Sequence, residues 1–326
     1  MRTKYNYVWP DSATDLDIEF SCYKIGLLGK DKRVVAWHHL RNAALILYPA
    51  DLLVWHKWCD LLAQVWCDNK FATVWGPAAA GKTHMFALFA LLDWWSDPLR
   101  TRTVLCSTTS SMLKQRVWGS VVEWFSHYSG KMPGRLVSSR LMIIDQTEEG
   151  VDEPKAGIFG IAVLQGSESD AKSNIIGVHR PFMRLVIDEM QATRRAAVEA
   201  RANMSKGCIE LRVFGLGNPM SRLDVLGEFS EPVEGWDSVN PETGLWRTKY
   251  GRTYHLDGRD SPAIDDPEGL PFLINAEQIE KDKAEYGDDG PEFWTMCIGF
   301  CPPEGLKLTV LSEAAVSRYR MDEEPN

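Results

Sequence analysis

The sequence predicts an α/β protein with a mostly parallel central sheet flanked by helices. Strand-length apolar runs alternate with helical stretches over the first two thirds of the chain, and this alternation is typical of a parallel sheet covered on both faces. One run, Phe71–Trp75, leads through a glycine-rich segment into residues 85–92. The latter stretch is apolar nearly all round, as a helix buried against a sheet should be.

The other elements follow in chain order. Helices are predicted at 34–47, ending before Pro49, and at 51–67. Four further core strands are predicted at 103–106, 160–164, 184–187 and 211–214, with helices between them at about 110–127 and 193–205. Residues 141–144 and 158–164 flank the acidic segment 148–154. This pattern predicts an inserted β-hairpin with the acidic segment at its tip.

From about residue 231 the chain is rich in Pro, Gly and Asp, which predicts a small C-terminal lid subdomain. It contains one clear helix, capped by Asn275 with Gln278 three residues on. The predicted organisation is an N-terminal helical or irregular extension at 1–50, a nucleotide-binding core at 51–230, a lid and linker subdomain at 231–310, and the start of a further linker at 311–326.

The glycine-rich segment behind the first core strand has the pattern of a phosphate loop. Its glycines allow a tight turn that points successive N–H groups at an anion, and the next helix presents its positive end to the same anion. Lys82 would reach the β- and γ-phosphates, and the Thr83 hydroxyl would bind Mg²⁺. The residues predicted to bind nucleotide here are Gly76, Pro77, Ala78, Ala79, Ala80, Gly81, Lys82 and Thr83. The sequence thus predicts a P-loop NTPase fold with ATP and Mg²⁺ as ligands.

Two adjacent carboxylates follow the predicted strand 184–187, and they point to different sides of its tip. Asp188 is predicted to hold Mg²⁺ with Thr83, and Glu189 to polarise the attacking water. Asp145 also follows an apolar run, but Gln146 comes next. That site lacks a base, and Asp145 is predicted to face solvent on the hairpin.

Asn218 is a polar amide on a predicted tight turn, 215–219, where another core strand should finish. A polar amide there, beside the γ-phosphate, would sense hydrolysis. The alternative is a turn that uses Gly, Asn and Pro only for their dihedral preferences.

Composition narrows the possible functions. The formal net charge of −9 excludes a chain held to nucleic acid by overall basicity, so any polynucleotide contact must be local. No window approaches the roughly 18 continuous apolar residues of a membrane span, and the N-terminus has no apolar signal core. No membrane partner is expected. Seven cysteines in scattered contexts match neither a disulfide framework nor a CxxC metal site, which predicts reduced and mostly buried thiols.

The order of the motifs resembles the ATPase half of the large terminase subunit of tailed bacteriophages, the motor that packages viral DNA. The likeness is carried by the phosphate loop, by 107–109 leading to Gln115, by 187–189 and by 217–219, and it covers about 50–310. Residues 286–303 are similar to the close of the family's ATPase region. The resemblance implies the roles given above for Lys82, Thr83, Asp188, Glu189 and Asn218.

The chain departs from this family in three ways. Large terminases continue into a nuclease domain, and this chain stops where that domain would begin. No nuclease is expected, because Asp257, Asp260, Asp265 and Asp266 lie in a Gly/Pro-rich loop without supporting strands. The phosphate loop lacks the extra basic residue that many members carry near its start. Where the family often places an adenine-reading glutamine, the chain has Trp55 and His56, which leaves base recognition open.

Ring motors usually complete the γ-phosphate site with an arginine from the neighbouring subunit. Arg180, shortly before the Asp188 strand, is the first candidate for this role, and Arg184 and Arg140 follow. Each has the alternative of a surface ion pair.

The sequence therefore predicts an ATP-hydrolysing motor that translocates double-stranded DNA into a procapsid in the host cytoplasm. The implied partners are double-stranded DNA, a portal protein, a small terminase subunit and further copies of the chain in a ring. Two alternatives remain open: a helicase-like, nucleic-acid-dependent ATPase, and a nucleotide-switched assembly protein with little turnover.

Overall fold

A nine-stranded sheet organises the chain. The structure is a computed structural model that describes residues 2–128, 132–145, 154–163 and 179–303. The strand order is β10-β11-β3-β9-β8-β4-β7-β6-β5, with a separate two-stranded ribbon, β1-β2, at the N-terminus. The strands are β1 (Arg2–Lys4), β2 (Tyr7–Trp9), β3 (Phe71–Trp75), β4 (Thr101–Ser107), β5 (Arg135–Val137), β6 (Met142–Ile144), β7 (Gly157–Ala162), β8 (Phe182–Ile187), β9 (Glu210–Gly217), β10 (Leu245–Arg247) and β11 (Arg252–His255).

The six central strands, from β11 to β7, are all parallel, and β10, β6 and β5 are antiparallel additions at the two ends. Helices cover the sheet. They are α1 (Asp15–Leu27), α2 (Ala36–Leu47), α3 (Lys57–Asp68), α4 (Lys82–Trp95), α5 (Ser110–Gln115), α6 (Val117–His127), α7 (Arg195–Glu199), α8 (Arg201–Met204), α9 (Val225–Ser230), α10 (Pro262–Asp265), α11 (Ala276–Tyr286) and α12 (Pro291–Phe293). Within the described residues, no helix combines the length and apolarity that a membrane crossing requires.

The predicted fold class is confirmed. All five predicted core strands form, and α4 is buried along nearly its whole length, as its uniformly apolar sequence indicates. The Asn275 side chain accepts the Gln278 backbone N–H at 2.9 Å and so caps α11 as predicted. All seven cysteines are free, and six are buried.

The inserted hairpin is present as β6 and β7, which pair antiparallel with Met142 opposite Phe159. Its predicted tip at 148–154 lies almost wholly outside the described residues. Sequence reasoning missed β5, a short strand that pairs with β6. It also missed α1, although Thr14 and Asp17 form a capping box at its start.

Two predicted boundaries are wrong. Residues 215–217 were expected in a turn, but they continue strand β9 in register with β3, so that Gly217 is opposite Trp75. The single helix expected at 110–127 is broken at Arg116, where φ is −105° and ψ is −96°.

The segment after residue 231 contributes to two parts of the molecule. Strands β10 and β11 join the central sheet beside β3. Residues 256–303 lie against the loop that follows β3, since the Ala78 N–H donates to the Met296 carbonyl at 3.1 Å and the Ile274 N–H donates to the Ala79 carbonyl at 3.1 Å.

Parallel order places the functional motifs at one edge of the sheet. Strands β3, β4, β8 and β9 all end there, so the segments that follow them converge. Asp145 follows the antiparallel strand β6 and therefore lies at the opposite edge. Chain direction thus excludes Asp145 as a partner of the phosphate loop.

Candidate functional site

A cavity of about 750 Å³ opens at the carboxyl edge of the sheet. Its walls include residues 77–83, both carboxylates of the 188–189 pair, and Asn218. Sequence positions more than 100 residues apart therefore meet in one cavity, as the parallel topology requires.

The phosphate loop follows β3 and ends at Gly81, the N-cap of α4. Gly81 has φ of +70°, a left-handed conformation that glycine adopts without steric cost. Ala79 also has positive φ, at 53°. These conformations turn the chain sharply into α4, whose first N–H groups have no partner within the helix and point toward the cavity.

Lys82 lies at the base of the cavity and folds back over the loop. Its Nζ donates to the carbonyls of Gly76 at 2.9 Å and Pro77 at 2.7 Å, and to Asn218 Oδ1 at 3.2 Å. Burial lowers the pKa of Lys82 to about 8, against the opposing effect of the two nearby carboxylates. The ammonium is thus held in place by neutral acceptors and, among the described residues, has no anion bonded to it, as expected of a group that binds phosphates.

Asp188 and Thr83 form a direct pair. The Thr83 hydroxyl donates to Asp188 Oδ1 at 2.7 Å, while Asp188 Oδ2 is buried and has no hydrogen-bond partner among the described residues. Burial raises the pKa of Asp188 to about 6, because the Thr83 hydrogen bond and the nearby cations only partly offset it. A buried carboxylate oxygen without a donor beside a hydroxyl fits a hard divalent cation, and Mg²⁺ needs only one or two protein ligands when nucleotide supplies the others. The donor set therefore fits Mg²⁺.

Glu189 is held on both sides. Arg116 Nη1 forms an ion pair with its Oε1, and Gln191 Nε2 donates to its Oε2 at 2.5 Å. Glu189 itself has φ of +53° and ψ of 46°, an uncommon conformation for a residue with a side chain. Such backbone strain concentrates at functional sites.

Asn218 lies between the phosphate loop and the carboxylates, because β9 separates β3 from β8. Its Oδ1 accepts from Lys82, and its Nδ2 lies 3.4 Å from Met296 Sδ. The preceding glycine has a packing reason: a Cβ on Gly217 would lie 2.0 Å from Gln191 Oε1. Asn218 thus connects the loop to the segment after residue 256.

The three arginine candidates have different outcomes. Arg184 is fully buried and forms ion pairs with Asp93 and Glu210, each at 3.0 Å, so it is excluded as a residue that reaches a neighbouring subunit. Arg180 precedes β8, at the edge of the sheet opposite the cavity, and is partly buried. It cannot act on the cavity of its own chain, and its action on a neighbour stays a prediction. Arg140 is exposed on the turn between β5 and β6.

His56 and Trp55 occupy the positions where the terminase family often has a glutamine. His56 lines the cavity, whereas the Trp55 indole N–H donates to Asp60 Oδ1 at 2.8 Å. Burial lowers the pKa of His56 to about 4, so its ring is neutral near pH 7. Leu52, Val54 and Phe272 add apolar surface to the same cavity. This wall suits a planar base, though sequence reasoning did not find it.

The aspartates considered for a nuclease serve local structure. Asp257 pairs with Arg259, and Asp266 Oδ1 accepts the Gly269 N–H at 2.9 Å. Among the described residues, no cluster of three or more His, Cys, Asp or Glu side chains is arranged to hold a metal ion.

Sequence reasoning also missed Arg116, which lines the cavity and binds Glu189. A weak signal existed: α5 starts behind β4, whose carboxyl end is at the same edge as that of β8. The first turns behind β4 therefore lie at the same edge of the sheet as the carboxylates.

No protein-family model matches the chain, and no curated protein matches it. Solved structures do. The large terminase ATPase domain of Thermus phage P74-26 has a TM-score of 0.51 and 14% sequence identity, with 78% of this chain and 95% of that domain covered. A point mutant of that domain has the same TM-score at 13% identity. The large terminase of a thermophilic bacteriophage in complex with ADP has a TM-score of 0.48 at 14% identity, with 72% of this chain and 48% of that chain covered.

At this level of identity, the likeness to the P74-26 domain establishes the fold. The nine-stranded, mostly parallel sheet flanked by helices matches the P-loop NTPase fold of a terminase ATPase domain.

Proposed function

We propose that this chain is the ATP-hydrolysing motor domain of a viral large terminase subunit, which translocates double-stranded DNA into a procapsid. One observation carries the proposal: Lys82, Thr83, Asp188, Glu189 and Asn218 converge on one cavity at the carboxyl edge of the sheet. The terminase ATPase fold supports the motor assignment.

In the proposed mechanism, the triphosphate lies on the backbone N–H groups at the start of α4. Lys82 leaves the loop carbonyls and binds the β- and γ-phosphate oxygens, which neutralises charge that develops during transfer. Glu189 orients the attacking water and accepts its proton. Asn218 moves with Lys82 and transmits the change to Met296, and the lid segment, 256–303, responds to the nucleotide state.

Thr83 and Asp188 would hold Mg²⁺. When bound, this ion supplies charge neutralisation at the β- and γ-phosphate oxygens. Asp188 must be ionised to bind it, so the raised pKa of Asp188 sets a lower pH limit for the reaction.

We propose a ring of identical subunits docked on a portal protein, fed by a small terminase subunit, in the host cytoplasm. Arg180 of one subunit would complete the site of the next. Its place at the edge opposite its own cavity supports action between subunits only.

The first test is steady-state ATP hydrolysis by the full chain, with and without double-stranded DNA. We expect Mg²⁺-dependent turnover that DNA stimulates. Glu189→Gln should reduce kcat by roughly 10²- to 10⁴-fold, since it removes the base while retaining the shape of the side chain. Lys82→Ala should abolish hydrolysis, and both variants should unfold at the wild-type temperature. Glu277→Gln, an exposed carboxylate on α11, is the matched control.

Normal turnover in Glu189→Gln would exclude the mechanism. Separation of DNA strands by the chain would identify a helicase-like enzyme instead. Tight ATP binding with negligible turnover under all conditions would identify a nucleotide-switched assembly protein.

A further inference from the structure

Arg116 lies at the junction between helices α5 and α6, at the carboxyl edge of the sheet. Helix α5 begins three residues after β4 and lasts only 6 residues before the backbone breaks at Arg116. Its side chain is 45% exposed and lines the cavity. The break separates α5 from α6, so the side chain is carried on a junction and not within a continuous helix.

The guanidinium of Arg116 pairs with Glu189, the proposed base, and Gln191 binds the other carboxylate oxygen. In this arrangement the charge of Glu189 is neutralised by a cation. The ion pair occupies one carboxylate oxygen and the Gln191 amide occupies the other, so that both oxygens are already engaged where the attacking water would need an acceptor. The observed arrangement is therefore poorly suited to hydrolysis.

The charges that line the cavity indicate that Arg116 can pair with an anion other than Glu189. Among the described residues that line the cavity, Lys82 and Arg116 are the basic side chains besides His56 and His84. Burial lowers the pKa of both histidines, so they are neutral near pH 7. The start of the phosphate loop offers Pro77 and Ala78 and no cation. A γ-phosphate at Lys82 would thus find its second protein cation in Arg116.

We infer that Arg116 exchanges Glu189 for the γ-phosphate of a nucleoside triphosphate bound in the same chain, and so releases Glu189 to the attacking water. This inference rests on the proposed function. A guanidinium matches phosphate oxygens in a bidentate geometry. A diphosphate has no γ-phosphate and leaves the Arg116–Glu189 pair intact. Arg116 therefore distinguishes triphosphate from diphosphate.

The test compares the affinities of Mg²⁺–ADP and a Mg²⁺-bound non-hydrolysable ATP analogue for the full chain. In Arg116→Ala, we expect affinity for the analogue to fall roughly 10- to 100-fold, the range for hydrogen bonds to charged groups, with ADP affinity unchanged. The kcat for ATP should fall by about 10³-fold or more. Arg116→Lys should recover part of the analogue affinity, since it keeps the charge but loses the planar fork.

The matched control is Arg100→Ala. Arg100 is 54% exposed and paired with Asp97, but it precedes β4 at the opposite edge of the sheet. It should change neither affinity. Thermal unfolding of each variant checks that the fold is retained.

Three results would overturn the inference while leaving the proposed function intact: an equal loss of ADP and analogue affinity in Arg116→Ala, no loss of either, or faster turnover than wild type. The last would mean that Arg116 only restrains Glu189. Failure of the wild-type chain to bind either nucleotide would overturn the proposed function and this inference together.

Discussion

The Lys82 ammonium can bind either neutral acceptors of the protein or the charged oxygens of a phosphate. In the structure its Nζ is bound to two loop carbonyls and Asn218. Neutral acceptors stabilise an ammonium less than phosphates do. In the proposed mechanism, nucleotide binding would exchange weaker acceptors for stronger ones and release the two carbonyls and Asn218.

This exchange predicts a pH dependence of nucleotide affinity. The pKa of Lys82 is about 8 in the free protein, and bound phosphates raise it. Affinity for ADP should be constant from pH 7 to just below pH 8 and should fall as pH rises through 8, by up to about tenfold per pH unit. Calorimetric titrations between pH 7 and pH 10 measure this. In Lys82→Arg, which stays protonated, any residual affinity should be independent of pH over that range. A slope shared by both proteins would place the titrating group elsewhere.

The buried Asp188 carboxylate should lower the stability of the nucleotide-free protein while serving to bind Mg²⁺. Its pKa is raised from 3.8 to about 6 in the folded state, so the ionised form is destabilising above that range. Asp188→Asn should stabilise the nucleotide-free protein at pH 8 by about 2–3 kcal/mol. The same change should abolish the Mg²⁺ dependence of nucleotide affinity.

Chemical denaturation in the absence of nucleotide measures the first effect, and titrations with and without Mg²⁺ measure the second. In the wild type, the Mg²⁺-dependent part of the affinity should fall as pH drops through 6. A destabilised Asp188→Asn protein would show that its carboxylate is needed for the fold.

At the level of elements, the phosphate loop is held between β3 and the segment after residue 256. Two backbone hydrogen bonds cross this contact, at Ala78 and Ala79. Gly299 packs directly on the loop, because a Cβ there would lie 2.5 Å from the Pro77 nitrogen and 2.6 Å from the Gly76 carbonyl carbon. The position of the segment after residue 256 and the shape of the loop are therefore coupled.

Gly299→Ala tests this coupling. It should displace the loop and weaken nucleotide binding by about tenfold or more, an effect of at least roughly 1.4 kcal/mol. Gly299 also has φ of +74°, which costs an alanine roughly 1–2 kcal/mol of stability by itself. Gly29→Ala is the matched control, since Gly29 has φ of +62° and open space around its Cβ position. Both variants should lose similar stability from backbone strain, and only Gly299→Ala should lose affinity. Equal affinities in the two variants would show that the contact does not shape the loop.

At the scale of the whole molecule, a buried network joins the N-terminal helices to the sheet. Asp93 on α4 accepts from Tyr23 and Lys24 of α1, each at 2.8 Å, and pairs with Arg184 on β8. Arg184 continues to Glu210 on β9. Burial raises the pKa of Asp93, but the nearby cations outweigh that effect and lower the pKa below its usual value. The N-terminal segment is thus connected to the central sheet by a network of largely buried charges.

Removal of one member should be costly. Arg184→Met leaves Asp93 and Glu210 buried without their shared cation, which should destabilise the protein by about 3–5 kcal/mol. Denaturant unfolding measures this, with Arg100→Met as the control for loss of an exposed arginine. Arg184→Met together with Asp93→Asn should recover part of the lost stability, because one of the two carboxylates that lost this cation is then neutral, while Glu210 keeps its pair with Arg212. A change below about 1 kcal/mol in the single variant would place the network in contact with solvent.

The chain by itself determined the fold class, the phosphate loop and the carboxylate pair. These features are local: apolar runs of strand length, a fixed glycine spacing, and Asp188–Glu189 directly behind a strand. Asn218 was also found from its place behind a strand. The extension of β9 through Gly217 was not, because glycines favour turns, whereas here Gly215 makes room for Met190 and Gly217 for Gln191.

Only the tertiary structure decided which distant residues meet. It excluded Asp145 through the direction of β6 and excluded Arg184 through its burial. It also brought Arg116 to Glu189, across 73 positions of sequence. The physical reason is that strand order and direction decide which strands end at the site. Pairings between strands that are far apart in sequence leave no local pattern to detect.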